Sequence, residues 1–143
     1  MDKVNFTKAL DAYRAPRGRF RVVEVPTTRY LMVDGHGDPN TSSEFTAAVE
    51  SLYPIAYKLK FTSKKALMRD YVVPPLEGLW WADDMECFTA ARDKSTWNWT
   101  AMIMVPDWIP EDTVTDVIAA AEVASPVRLA TLDEGLCVQT LHI

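Results

Sequence analysis

With 143 residues, 48% of them hydrophobic and 24% charged, the chain can build one core, is short for two domains, and is not composed like a disordered segment. Its net charge of −5 repels phosphate backbones, so no nucleic-acid partner is expected and a neutral or cationic small molecule suits it better. No apolar run approaches the ~20 residues of a membrane span, and the first ten residues lack the apolar stretch of a secretory leader. No membrane partner and a cytoplasmic location are therefore expected.

Residues 1–18 read as a loose lead-in. Phe20 to Val25 and Thr28 to Val33 are rich in β-branched and aromatic residues on either side of Pro26, which predicts two short strands or one strand interrupted by a bend. Asp34-Gly35-His36-Gly37-Asp38-Pro39 then reads as a loop. Thr41-Ser42-Ser43-Glu44 has the spacing of a capping box. Behind it Phe45, Ala48, Val49, Leu52, Ala56 and Leu59 form one apolar helical stripe. Pro54 lacks a backbone donor and crowds the carbonyl of Glu50, so a kink is expected there.

Tyr71 to Val73 and Leu79 to Trp81 predict strands, and Asp83 to Arg92 a short helix. Trp97 to Val105 alternates cleanly, with Trp97, Trp99, Ala101 and Ile103 on one side and Asn98, Thr100, Met102 and Met104 on the other. Glu111 and Asp112 mark the first turn of a helix whose stripe is Val114, Val117, Ile118 and Ala121. Val127 to Leu132 and Leu136 to Ile143 are the last two strands. About six strands and two main helices without strict alternation predict an α+β fold with a mainly antiparallel sheet and helices on one face. Residues 1–143 form one domain in this reading.

No P-loop, GxGxxG, GxSxG or HExxH occurs, so no cofactor is expected. Asp34, Asp38, Asp83 and Asp84 lack the spacing of a calcium loop. Cys87 and Cys137 include no CxxC pair and read as small buried hydrophobes. His36 reads as solvated and His142 as a strand residue, so no metal site is expected.

The informative stretch runs from Tyr71 to Trp81 and sets one carboxylate, Glu77, among apolar and aromatic residues. Pro74 and Pro75 cannot donate to a central ladder, and Gly78 lets the chain bend, so the segment is suited to aim that carboxylate. Trp80 and Trp81 are adjacent and must diverge, one to a concave site and one to the core. With Tyr71, Trp97, Trp99 and Met104 they are candidate ligand-binding residues. Such rings and thioethers around a desolvated carboxylate suit a bulky aromatic cation.

The segments Val33 to Asn40, Leu52-Tyr53 through Phe61, Tyr71 to Asp84 with its central Leu76-Glu77-Gly78-Leu79-Trp80-Trp81, Met102 to Asp107 and Leu132 to Gln139 also resemble the GyrI-like small-molecule-binding family. The resemblance spans nearly the whole chain. It implies two strand–helix–strand–strand modules with a ligand in the cleft between them, the second module incomplete because the family's sequence continues past Leu141-His142-Ile143. Some stand-alone members of the family hydrolyse the cyclopropane ring of DNA-alkylating natural products, which would make Glu77 the candidate catalytic residue. A ligand-binding module, a hydrolase and a folded domain without a ligand all remain open. The unpaired last strand predicts a possible homodimer.

Overall fold

The computed structural model describes residues 2–83 and 93–141. The expected helix over Asp83 to Arg92, Cys87 within it, and His142 lie wholly or largely outside them. In chain order the elements are β1 (Lys3–Val4), α1 (Phe6–Ala9), a 3-10 turn (Asp11–Tyr13), β2 (Arg21–Val25), β3 (Thr28–His36), α2 (Ser43–Ala66), β4 (Asp70–Tyr71), β5 (Leu76–Trp81), a 3-10 turn (Lys94–Thr96), β6 (Asn98–Val105), α3 (Glu111–Ala120), β7 (Arg128–Leu132) and β8 (Gly135–Gln139). The architecture is α+β, as the sequence predicts.

Four strands form an antiparallel sheet in the order β5-β6-β3-β7. The unit β3–α2–β5–β6 is a complete strand–helix–strand–strand module, and α3, β7 and β8 follow it. Trp99, Ala101 and Ile103 of β6 register with Gly35, Val33 and Leu31 of β3. All six therefore share one face, and α2 covers it with Ala48, Leu52, Ile55 and Leu59, each essentially fully buried. Burying each of the large aliphatic chains is worth ~1.5–3 kcal/mol. α3 adds Val114 to the same core. β2 and β8 continue the β3–β7 pair past Pro26 and the Asp133-Glu134 turn as a separate two-stranded antiparallel ribbon.

Several expectations are corrected. β3 runs on through Asp34, Gly35 and His36 rather than looping there. A Cβ on Gly35 would lie 2.1 Å from the Trp99 ring, so this glycine is a strand residue that leaves room for an indole. The helix cap is Ser42, which accepts from the Phe45 amide at 3.4 Å, not Thr41. α2 continues through Pro54 as one helix from Ser43 to Ala66; tertiary burial on both sides of the proline outweighs the missing bond.

The lead-in is not loose. β1 pairs in parallel with β4, and Phe6 packs against Tyr71 and Trp108 at ring separations of 5.9 and 5.7 Å. Asn5 caps α1 by accepting from the Thr7 amide. Beneath this contact, Lys60 on α2 donates to Asp70 at 2.6 Å and to the Tyr71 carbonyl at 3.0 Å. The Lys60 bond is the main cause holding the Asp70 carboxyl below its ordinary range, and a buried charge persists only when paired in this way.

Candidate active site: a carboxylate in a tyrosine-lined cavity

β5 is an edge strand, which accommodates the preceding Pro74 and Pro75. Its register pairs Glu77 with Met102 and Leu79 with Thr100, while Gly78 and Trp80 pair with Ala101 and Trp99. Directly opposed residues share a face, so Glu77 points to the side of the sheet away from α2. Tyr30, Met32, Met102 and Met104 lie on that side and are buried.

The ribbon and the 3-10 turn Asp11–Tyr13 close over this face. Between them and the sheet lies a cavity of about 350 Å³. Its walls include Tyr13, Val23, Val25, Tyr30, Met104 and Cys137, and its carboxylates are Asp11, Glu24, Glu77 and Glu134; no basic side chain among the described residues lines it. The Tyr13 hydroxyl donates to Glu77 Oε2 at 2.8 Å. Tyr13 is brought there by the buried Phe6 anchor and by Arg21, which donates to the Asp11 carboxylate at 3.0 Å.

Burial raises the Glu77 pKa above its ordinary value, the Tyr13 hydrogen bond opposes the rise, and the charge of Glu134 adds to it. This is the direction expected of a desolvated carboxylate near a like charge. Burial, together with the charge of Glu77, pushes the Tyr13 and Tyr30 hydroxyls far above their ordinary range, so both stay protonated and can donate. The Cys137 thiol is raised too, by burial and Glu134. Contrary to the sequence expectation, Cys137 is only half-buried. A partly buried carboxylate with a fixed phenolic donor can accept a proton, bind a cation, or orient a water molecule.

Of the residues singled out in the sequence, Glu77 and Met104 line this cavity together. Tyr71 does not line it and is buried against Phe6 and Trp108. Trp99 is completely buried on the α2 face, edge-on to Phe45 at 5.0 Å. Trp80 lies on the same face, 5.9 Å from Phe45 and 6.0 Å from Trp97. Trp81 lies on the Glu77 face. Trp80 and Trp81 diverge, but both are about two-fifths exposed and the core tryptophan is Trp99. His36 is exposed and bonds Asn98 at 2.9 Å. Asp34 is ion-paired with Arg128 at 2.6 Å, and no cluster of metal-ligating side chains occurs among the described residues.

Tyr13, Tyr30 and Glu134 are cavity residues that sequence reasoning missed. A four-residue helix and a three-residue turn are too short to show periodicity, so nothing local marked Tyr13. A larger hollow, about 580 Å³, lies between α2 and α3. No aromatic residue among those described lines it, and its charged residues Glu50, Lys58, Asp116 and Glu122 are all exposed at the rim. The smaller cavity, with its partly buried carboxylate, is the stronger candidate for chemistry.

The fold and this cavity define a small α+β domain with an acid-bearing site between a sheet and a ribbon. Three solved structures from Listeria innocua share its fold. One is an uncharacterized conserved protein, 34% identical, with a TM-score of 0.84 over 99% of this chain and 72% of that one. The other two are hydrolases, each 36% identical over 99% of this chain; their TM-scores are 0.83 and 0.78, with 72% and 71% of their own lengths covered. The chain belongs to the family of these Listeria proteins. No protein-family model matches it, and no curated protein matches it. No helix among the described residues is long and apolar enough to cross a membrane.

Proposed function

We propose that the chain binds a bulky aromatic or cationic small molecule in the Glu77 cavity. The observation that carries this reading is the partly buried Glu77 carboxylate, held by Tyr13 and facing a cavity with aromatic and thioether walls and, among the described residues, no basic side chain. The volume falls in the range of ~300–1,000 Å³ common for small-molecule sites. A cation recovers favourable interaction with a desolvated carboxylate, and the faces of Tyr13 and Tyr30 suit a flat ring. Trp81, on the same sheet face, extends the aromatic surface, and Trp80 and Trp97 form a second aromatic patch on the far side of β5.

A second reading is hydrolysis, favoured by two neighbours that are called hydrolases and by the resemblance to GyrI-like proteins. Glu77 then takes the proton of a water molecule as its oxygen bonds to a ring carbon of a cyclopropane-bearing electrophile. The strained carbon–carbon bond breaks, and its electron pair passes to the ligand's conjugated acceptor. Tyr13 positions the carboxylate.

The test is titration with ethidium as a flat cationic probe. Wild type is expected to bind at micromolar affinity and Glu77→Gln at least tenfold more weakly with the fold retained; equal affinities overturn the binding reading. Mass spectrometry after incubation with a cyclopropane-bearing alkylating compound separates the two readings, since hydrolysis yields a product heavier by one water and binding returns the compound intact.

A further inference from the structure

We infer that Arg21 and Gln139 are positioning residues for the Glu77 site: they latch the backbone of the Asp11–Tyr13 turn to the β2–β8 ribbon and so hold the Tyr13 hydroxyl on the carboxylate. The functional meaning of this latch rests on the ligand reading of the cavity, but its action can be read at Glu77 with no ligand present.

Arg21 and Gln139 are directly paired across the ribbon and therefore share a face. Two residues along each strand, Val23 and Cys137 form the next pair on that face and line the cavity. Arg21 Nη2 donates to the Asp11 carbonyl at 2.9 Å and also to Gln139 Oε1. Gln139 Nε2 donates to the Ala12 carbonyl at 3.0 Å. One guanidinium and one amide thus hold the two successive carbonyls that lead into Tyr13.

The turn needs such support. It has three residues and α1 before it has four, far below the length at which a helix holds its own shape. Phe6 anchors the start of α1 but not the turn. The Asp11 carboxylate also accepts from Arg21, but it is 63% exposed, and an ion pair in water contributes little. The orientation of Tyr13 therefore depends on the two carbonyl bonds. The titratable groups that line the cavity with Glu77 are Asp11, Tyr13, Glu24, Tyr30, Glu134 and Cys137. Of these, Tyr13 is the one that donates to Glu77, and its bond opposes the rise that burial and Glu134 produce. Loosening the turn should act on Glu77 as loss of the Tyr13 hydroxyl does.

Carbon-13 NMR titration of the Glu77 carboxyl tests the inference, with the resonance identified by its loss in Glu77→Gln. Two variants keep the net charge: Gln139→Ala, and Arg21→Lys, whose ammonium lacks the planar fork. Each is expected to raise the Glu77 midpoint, by no more than Tyr13→Phe does, and to add little when combined with Tyr13→Phe, because groups that act through one bond are not additive. Ethidium affinity at neutral pH should fall with the rise. A side chain that merely braced the ribbon would lower the unfolding temperature and leave the midpoint in place. A wild-type midpoint in either variant overturns the role of that residue, and a rise that persists undiminished in the Tyr13→Phe background overturns the latch. A raised midpoint together with equal ethidium affinity in wild type and Glu77→Gln would sink the ligand reading alone and leave the latch standing.

Discussion

The two ends of the β5–β6 sheet are built for different purposes. At one end Phe45, Trp80, Trp97 and Trp99 crowd together, with ring separations of 5.0 to 6.0 Å. At the other, the Glu77 carboxylate meets two tyrosines in a hollow. Glu77 and Trp80 are neighbours in the sequence, yet an offset of three residues on a strand sends them to opposite faces. Trp81, at an offset of four, shares the face of Glu77 but lies ~13 Å along the strand at ~3.3 Å per residue. Proximity in sequence therefore does not make a pocket here. The hydrogen-bond partner of Glu77 arrives from 64 residues away.

The strongest way to break the comparison is through Trp99. Trp99→Ala removes a fully buried ring and should cost ~3–5 kcal/mol in chemical denaturation. Gly35→Ala should cost a comparable amount, since its new Cβ would lie against that ring and β3 cannot shift without moving the sheet. The folded fraction of either variant should still bind ethidium with wild-type affinity. A selective loss of binding without loss of stability would place the aromatic end in the ligand site.

Glu77→Gln acts at the other end, through charge. Folding raises the Glu77 pKa above its ordinary value of 4.5, so the folded state holds this proton more tightly than the unfolded chain does. The contribution to stability is full below the ordinary carboxyl range and is lost as pH rises through the raised value. Binding of a cation runs the opposite way, because it needs the carboxylate: affinity is highest above the raised pKa and falls as pH drops through it. Glu77→Gln should flatten both dependences together. Denaturation and ethidium titration across that window check this, and a pH profile unchanged in the variant would remove Glu77 from both.

Most of the fold was legible in the sequence because it rests on periodicity. The stripe from Ala48 to Leu59 and the alternation from Asn98 to Val105 are long enough to show their period, and both elements formed where expected. Glu77 was legible as a carboxylate with apolar neighbours flanked by prolines. Its environment was not, because Tyr13, Tyr30 and Glu134 come from three separate segments whose meeting depends on sheet order. The strand at Gly35 was hidden because a glycine that admits an indole reads locally like one that turns the chain.

Tyr13→Phe should have a smaller effect than Glu77→Gln. It removes one hydrogen bond to a partly buried carboxylate, worth ~1–3 kcal/mol when the acceptor is charged. With the opposing influence gone, the Glu77 pKa should rise further, so ethidium affinity at neutral pH should fall severalfold and its pH profile should move upward. An unchanged profile would mean that water replaces the hydroxyl without loss. Tyr13→Phe thus separates the donor from the carboxylate, which Glu77→Gln cannot do.

The smallest effect is expected from Trp81→Ala, and its size depends on the ligand. The Trp81 ring is already about two-fifths exposed, so its removal should cost less stability than Trp99→Ala. Its strand position lies ~13 Å from Glu77, farther than a fused three-ring system reaches from a cation seated on the carboxylate. Ethidium affinity should therefore change by no more than about twofold, whereas a ligand with a second aromatic group on an extended linker should lose more, since base-sized stacking contacts are worth ~1–3 kcal/mol each. Trp80→Ala is the control, since it lies on the opposite face of the same strand and should spare both ligands. If Trp81→Ala and Trp80→Ala weaken the long ligand equally, the two faces do not separate as the register requires, and the binding surface wraps around the edge of β5.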